Sequence, residues 1–166
     1  MILKTVLIVI GIVCGTILLA YLLNIFWKTR KFKKVTGGWK EIENTAWHGS
    51  LQEFNRYYTN ARQYKRSGVY IHKNKATGKC YVGQSRNIFE RVYREIHGKA
   101  DNSGCKALFE AYNSGYEFEI ILIFHKKGFP SLNKMERAFI NLHDSIQNGY
   151  NKTWGNNEAT GETIYK

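Results

Sequence analysis

The pattern of apolar and polar positions divides the chain into an unpatterned apolar opening and a patterned remainder. From Val6 to Trp27 the run VLIVIGIVCGTILLAYLLNIFW carries no charge, and its length is that of a helix crossing about 30 Å of hydrocarbon. A helix buried in a soluble core usually keeps a polar face, and this one has none. A cleaved secretory signal would place basic residues before a shorter apolar run and a small-residue cleavage site after it. Here only Lys4 precedes, whereas KTRKFKK follows, so the segment reads as a retained anchor. The basic residues Lys28, Arg30, Lys31, Lys33 and Lys34 predict that the following chain stays in the cytoplasm. The same cluster suits anionic lipid headgroups, at roughly 1 kcal/mol per residue.

Val35–Gly49 mixes glycines, charges and two tryptophans and reads as a connector that partly packs. Ser50 and Glu53 have capping-box spacing, which predicts a helix over 51–64 with Phe54, Tyr57, Tyr58 and Tyr64 largely on one face. Val69–Lys73 and Lys79–Gln84 are β-prone runs joined by NKATG, a hairpin pattern. Alternation puts Tyr70 and His72 on one face, and Tyr81 and Gly83 on one face of the partner arm. Gly68 and Gly83 lie near the hairpin ends, where another backbone or a phosphate can come close. Asn87 and Glu90 have the pattern of a cap with a reciprocal acid, before a helix to about His97 that puts Asn87, Arg91 and Arg94 or Glu95 together. A short helix follows between Ser103 and Gly115, then a strand over 116–125. The last helix is predicted over 132–147, with Leu132, Met135, Phe139 and Leu142 as its core stripe and Glu136 one step off it, in solvent. A turn at Asn148-Gly149, the pair Tyr150-Asn151 and a polar tail end the chain, and no internal repeat is present.

Composition narrows the partners. With 166 residues and a separate opening segment, the chain has room for one ordinary core. A net charge of +12, a pI near 9.6 and 14% aromatic residues favour a polyanion, nucleic acid before anionic lipid. The plainer alternative is a basic solvated surface with no partner. Cys14, Cys80 and Cys105 are odd in number and lack CxxC spacing, which argues against a zinc site or disulfide framework and for a reducing compartment.

Gly68-Val69-Tyr70, Tyr81-Val82-Gly83, Arg91 on a helix, Glu136 on a later helix and Gly149-Tyr150-Asn151 together resemble the motif set of the GIY-YIG nuclease superfamily. The first two elements differ from the family name only by valine for isoleucine, and the resemblance spans about residues 67–152. It implies an α/β (α+β) fold: a small three-stranded antiparallel sheet flanked by helices, here preceded by a transmembrane helix. The resemblance says nothing of the anchor or of residues 28–66; with the apolar run read above, the expected division is a tail over 1–5, the membrane helix over 6–27, a basic connector and helix over 28–66, the nuclease domain over 67–153 and a polar tail over 154–166. The resemblance implies Tyr70 as general base toward the attacking water, Tyr81 beside it, Arg91 as stabiliser of phosphate charge, Glu136 as the ligand of a divalent metal (Mg2+ or Mn2+), and Asn151 at the final position.

These roles suit phosphodiester cleavage, which needs a deprotonated water and positive charge on the phosphoryl oxygens. A guanidinium grips phosphate as a planar fork, and magnesium on one carboxylate keeps several waters. Tyrosine, with a pKa near 10, needs cations nearby to act as a base, and Lys73, Lys79 or the metal are candidates. His72 is a candidate for assisting a proton transfer, and Arg86, Arg94 and His97 are candidate phosphate contacts. The whole then reads as a single-pass protein of a bacterial or phage-encoded inner membrane that cuts DNA at its cytoplasmic face, with foreign DNA as target. The alternatives are a role in DNA uptake, a catalytically idle nucleic-acid-binding module, and a small membrane interaction protein in which the tyrosines are only core.

Overall fold

The computed structural model describes residues 2–98, 106–156 and 163–165. The chain divides into two compact units, one ending at Gly38 and the other beginning at Trp39. The first is a single helix, α1 (Ile2–Thr36). Side chains from Gly11 to Arg30 are all exposed, and the mean hydropathy of this 20-residue stretch is 1.6. By length and composition it is sufficient to cross a membrane. Two of its hydroxyls are satisfied within the helix, as lipid would require: Thr16 donates to the Val13 carbonyl and Thr29 to that of Ile25, both at 2.8 Å.

The second unit is built on a four-stranded antiparallel sheet. After a short helix α2 (Trp39–Asn44) come β1 (Trp47–Ser50) and α3 (Leu51–Ala61), then β2 (Gly68–Asn74), β3 (Cys80–Ser85), α4 (Ile88–Ile96), α5 (Lys106–Asn113), β4 (Phe118–Phe124) and α6 (Leu132–Leu142). The strand order is β1-β4-β2-β3, so β2 and β4 are central. The expected three strands are thus joined by a fourth, because β4 has an open edge that residues 47–50 cover, Trp47 opposite Leu122 and Ser50 opposite Glu119. Four residues with a glycine and a histidine carry no alternation, so this segment read as connector. The polar tail likewise contains β5 (Thr153–Asn156) and β6 (Thr163–Tyr165), which pair with each other.

Both faces of the central strands are covered. Tyr70, His72, Tyr81, Ile120 and Leu122 face α3, α4 and α5, where Phe54, Phe89, Val92 and Leu108 close the core. Val69, Ile71, Val82, Ile121 and Ile123 alternate to the other face, which α6 covers through β3 and β2. Each fully buried aliphatic or aromatic side chain there contributes about 1.5–3 kcal/mol.

The helix ends are partly as the sequence predicts. At α3 the capping box forms: the Glu53 carboxylate accepts from the Ser50 N–H at 2.6 Å, and Ser50 Oγ accepts from the Glu53 N–H at 3.3 Å. At α4 it does not form. Asn87 stands at the N-cap without a side-chain hydrogen bond, since Glu90 is taken by the Tyr58 hydroxyl at 2.8 Å. The predicted start of α5 at Ser103 lies outside the described residues. The last helix stops at Leu142 rather than Gln147, because the chain turns through Asp144 at a left-handed φ of 45°. Its buried face is Met135, Glu136, Phe139 and Ile140, rotated from the expected stripe, so Glu136 is inside and not in solvent.

Candidate active site

The site is assembled around β3, an edge strand. On the face toward α4, Tyr70 lies opposite Gly83 and His72 opposite Tyr81. A Cβ at position 83 would stand 2.3 Å from the Tyr70 hydroxyl, so the glycine is what admits this ring. The Tyr70 hydroxyl donates to Glu95 Oε1 at 2.6 Å. Arg91 Nε donates to the same oxygen at 2.7 Å and lies 3.3 Å from the Tyr70 oxygen. The spacing of Arg91 and Glu95 stacks them on one side of α4, and the sheet brings Tyr70 to both. The Arg91 side chain remains 26% exposed and reaches solvent, whereas Tyr70 and Glu95 behind it are buried.

Electrostatics at the cluster follow from its dryness. Burial, then the Glu95 charge, raises the Tyr70 phenol well above its ordinary value, and Arg91 opposes this without prevailing. The cations expected to favour a phenolate are therefore outweighed. Burial alone would raise Glu95, but His72 beside it, the hydrogen bond from Tyr70 and the charge of Arg91 hold it below the usual carboxylate value. Burial alone would lower Arg91, and its two partners more than reverse this, so it stays charged.

Across β3 stands the second carboxylate. Glu136 is 9% exposed, and Gln84 Nε2 donates to its Oε2 at 3.1 Å while also bonding Asn133 Oδ1. Burial pushes Glu136 up to about 7, against the Gln84 hydrogen bond and the charge of Arg91. At the rim of β3, Asn151 Oδ1 accepts from the Val82 N–H and its Nδ2 donates to the Val82 carbonyl, both at 2.8 Å. Gly149 lets this loop approach, since a Cβ there would meet the Cys80 carbonyl at 2.3 Å. The Tyr150 hydroxyl accepts from Asn74 Nδ2 at 2.9 Å.

The family model of the GIY-YIG catalytic domain matches residues 66–151, from the start of β2 through this loop. The chain belongs to the GIY-YIG family. No curated protein and no solved structure matches it. Membership supports an endonuclease-type hydrolase that acts on nucleic acid. The match leaves out α1, α2, β1 and α3, so the fourth strand and the capped helix lie outside the part that defines the family.

Within the GIY-YIG domain, Tyr70, Tyr81, Arg91, Glu136 and Asn151 gather about β3, with the Tyr70 and Tyr81 rings 6.4 Å apart. His72 joins them, wholly buried, with Nε2 at 3.4 Å from Glu95 Oε2 and Nδ1 at 2.8 Å from the Tyr112 hydroxyl. Others stand apart. Alternation turns Lys73 to the sheet face opposite Tyr70, Lys79 is exposed in the hairpin turn, and Arg86 is exposed before α4. Arg94 is half-buried on α4, and the His97 ring packs on Tyr93 at 4.3 Å. Glu95 and Gln84 are the site residues that sequence reasoning left unassigned. The available signal for Glu95 was its place four residues after Arg91; Gln84 gave none.

The family implies a divalent metal, and the residues around Glu136 fit one. No group of three or more acidic, histidine or cysteine side chains could hold a metal among the described residues. Magnesium needs no such cage, because it binds through one or two carboxylates and keeps its waters. A Cβ at Gly155 would stand 2.3 Å from Glu136 Oε2, so glycine there leaves the carboxylate a small open cradle. A buried carboxylate raised to about 7 is one whose charge the protein has not fully compensated, and a cation would do so.

Proposed function

We propose that this protein is a membrane-tethered, divalent-metal-dependent endonuclease that hydrolyses the phosphodiester bonds of DNA. The observation that best supports it is the placement of Arg91 and Tyr70 on one side of β3 and the undercompensated Glu136 on the other. A phosphate at Arg91 meets a guanidinium that stays charged, and the negative charge growing on its oxygens is met in a partly dry setting. Tyr70 takes a proton from the attacking water. Tyr70 itself is 1% exposed, and the half-buried Arg91 beside it reaches solvent. Glu136 would hold Mg2+ or Mn2+, and the ion would supply positive charge to offset that growing on the phosphate. Tyr81 packs beside Tyr70, and Asn151 acts through β3, whose backbone it fixes.

The test uses the full-length chain in detergent with supercoiled plasmid, in magnesium and in chelator. Metal-dependent nicking or linearisation is expected, lost in Arg91→Ala and Glu136→Gln. Binding without cutting by a well-folded wild type would make the protein a DNA-holding module instead.

Tethering supports a target that comes to the membrane, namely DNA entering the cell, cut at the cytoplasmic side that the basic flank of α1 favours. Cells expressing the wild type should resist incoming phage DNA better than cells expressing Arg91→Ala. Recovery of the intact protein in the soluble fraction would end this part of the proposal.

A further inference from the structure

Glu95 occupies none of the motif positions, yet it is buried against two of the residues that do, Tyr70 and Arg91. It is 1% exposed. Oε1 receives Tyr70 at 2.6 Å and Arg91 at 2.7 Å, and Oε2 faces His72 Nε2 at 3.4 Å. His72 Nδ1 lies 2.8 Å from the Tyr112 hydroxyl, and the tautomer that suits the neighbouring carboxylate has Nδ1 accepting from that hydroxyl and the ring hydrogen on Nε2, on the side of Glu95, although at 3.4 Å no hydrogen bond is formed there. Tyr70, Arg91 and His72, from two different elements, thus surround one carboxylate, and Tyr112 from a third holds the far nitrogen of His72.

Burying an ionised carboxylate costs several kcal/mol, and a merely structural position on a core-facing helix would be filled more stably by an apolar side chain. What this carboxylate changes is Tyr70. A phenol with its hydroxyl held by a carboxylate, in a dry site, is not a phenolate at neutral pH. It accepts a proton from water only if its own proton has somewhere to go, and the nearest acceptor is 2.6 Å away.

We propose that Glu95 is the proton acceptor that lets Tyr70 serve as a base, and that His72 holds Glu95 in place for this task; the inference rests on the proposed cleavage reaction. As the water oxygen bonds to phosphorus, a water O–H bond breaks and its proton passes to the Tyr70 oxygen. In the same event the Tyr70 O–H bond breaks and that proton goes to Glu95 Oε1. The carboxylate becomes a neutral acid, and the negative charge reappears on the phosphoryl oxygens facing Arg91. The P–O bond to the leaving oxygen breaks, and that oxygen takes a proton from solvent. Glu95 returns its proton to solvent through Tyr70, and nothing is oxidised or reduced. Glu95 and His72 are positioning residues, since only Tyr70 touches the water.

The experiment compares wild type, Glu95→Gln and Glu95→Asp as full-length chains in detergent, cutting plasmid in magnesium. Glutamine keeps the size and an acceptor oxygen for Tyr70 but cannot take a proton. Expected for Glu95→Gln is a fall in kcat of about 10²–10⁴-fold with KM changed by less than about threefold, and partial recovery in Glu95→Asp. A kcat for Glu95→Gln within about threefold of wild type would overturn the inference. A proton inventory on the unmodified protein, in single turnovers across H2O and D2O mixtures, decides the case even if the variants do not fold. Two protons in flight give a bowed plot; a linear plot, or no isotope effect, overturns the relay. If the wild type does not cut at all, the proposed function falls and the relay with it, whereas a cutting wild type with a linear inventory removes the relay alone.

Discussion

Asn151 spans both polar groups of Val82, accepting from its N–H and donating to its carbonyl at 2.8 Å each. A side-chain amide thereby supplies what a fifth strand would supply at the free edge of the sheet. The point it fixes lies between Tyr81 and Gly83, which stand opposite His72 and Tyr70. The final motif residue and the first are thus linked through the backbone of the middle one.

Asn151→Ala should leave two backbone groups without these partners, at a cost of about 1–3 kcal/mol. A fall in Tm of several degrees is expected, accompanied by loss of cleavage. Asn151→Asp should be no better, because its second carboxylate oxygen would face the Val82 carbonyl. Thermal denaturation followed by circular dichroism checks both. An unchanged Tm with cleavage abolished would instead give Asn151 a direct contact with substrate.

Gly83→Ala should be among the most damaging small substitutions in the domain. Its Cβ would stand 2.3 Å from the Tyr70 hydroxyl and 2.4 Å from the ring carbon bearing it. The ring must shift away from Glu95 and Arg91, or β3 must move. Loss of cleavage by at least about 10²-fold is expected. Assayed alongside, Tyr70→Phe, which removes only the hydroxyl, should lose activity with less loss of stability than Gly83→Ala. Retention of activity by Gly83→Ala would mean that the Tyr70 geometry is not what cleavage uses.

Magnesium should stabilise the folded chain through Glu136. At ten times its dissociation constant a bound ion adds about 1.4 kcal/mol. The Tm of wild type should therefore rise with magnesium, and that of Glu136→Gln should not. Gly155→Ala should also blunt the rise, since φ is +79° there and an added Cβ would fill the space at Glu136 Oε2. An equal rise in wild type and Glu136→Gln would place the ion elsewhere.

Local features of the fold are legible in the sequence, and non-local ones are not. The hairpin of β2 and β3, the capping box of α3 and the apolar run of β4 are written in neighbouring residues, and each forms. The segment Trp47–Ser50 is a strand only because β4 offers it an edge, which no reading of four residues could supply. The spacing of Leu132 and Leu142 predicts a stripe that leaves Glu136 in solvent; packing of α6 on β3 turns the helix toward Ile140 and brings Glu136 in. Tyr70, Arg91 and Asn151 were legible through a resemblance of motifs. Glu95 was visible only as a neighbour of Arg91, and its meaning depends on Tyr70 and His72 arriving from another element.

The pH dependence of stability should come in part from His143, which caps α6 between two partners. Its Nε2 is 3.0 Å from Glu43 Oε2 on α2, and its Nδ1 is 3.6 Å from Cys80 Sγ on β3. Burial alone would lower this histidine, but the hydrogen bonds to Cys80 and Glu43 carry it up to about 9. A histidine that binds its proton more tightly when folded stabilises the fold fully below its unfolded value, near 6.5, and loses that contribution as the pH rises through about 9. Stability should therefore decline between about pH 6.5 and 9, by on the order of 1–2 kcal/mol. Melting of the full chain in detergent across this range should show the decline in wild type and a flatter profile in Glu43→Gln, where the carboxylate partner is gone. A wild-type profile as flat as that of the variant would show that His143 does not carry this charge in the fold, and would leave α2 held to α6 by the edge contact of Trp39 with Phe139, 5.5 Å between ring centres.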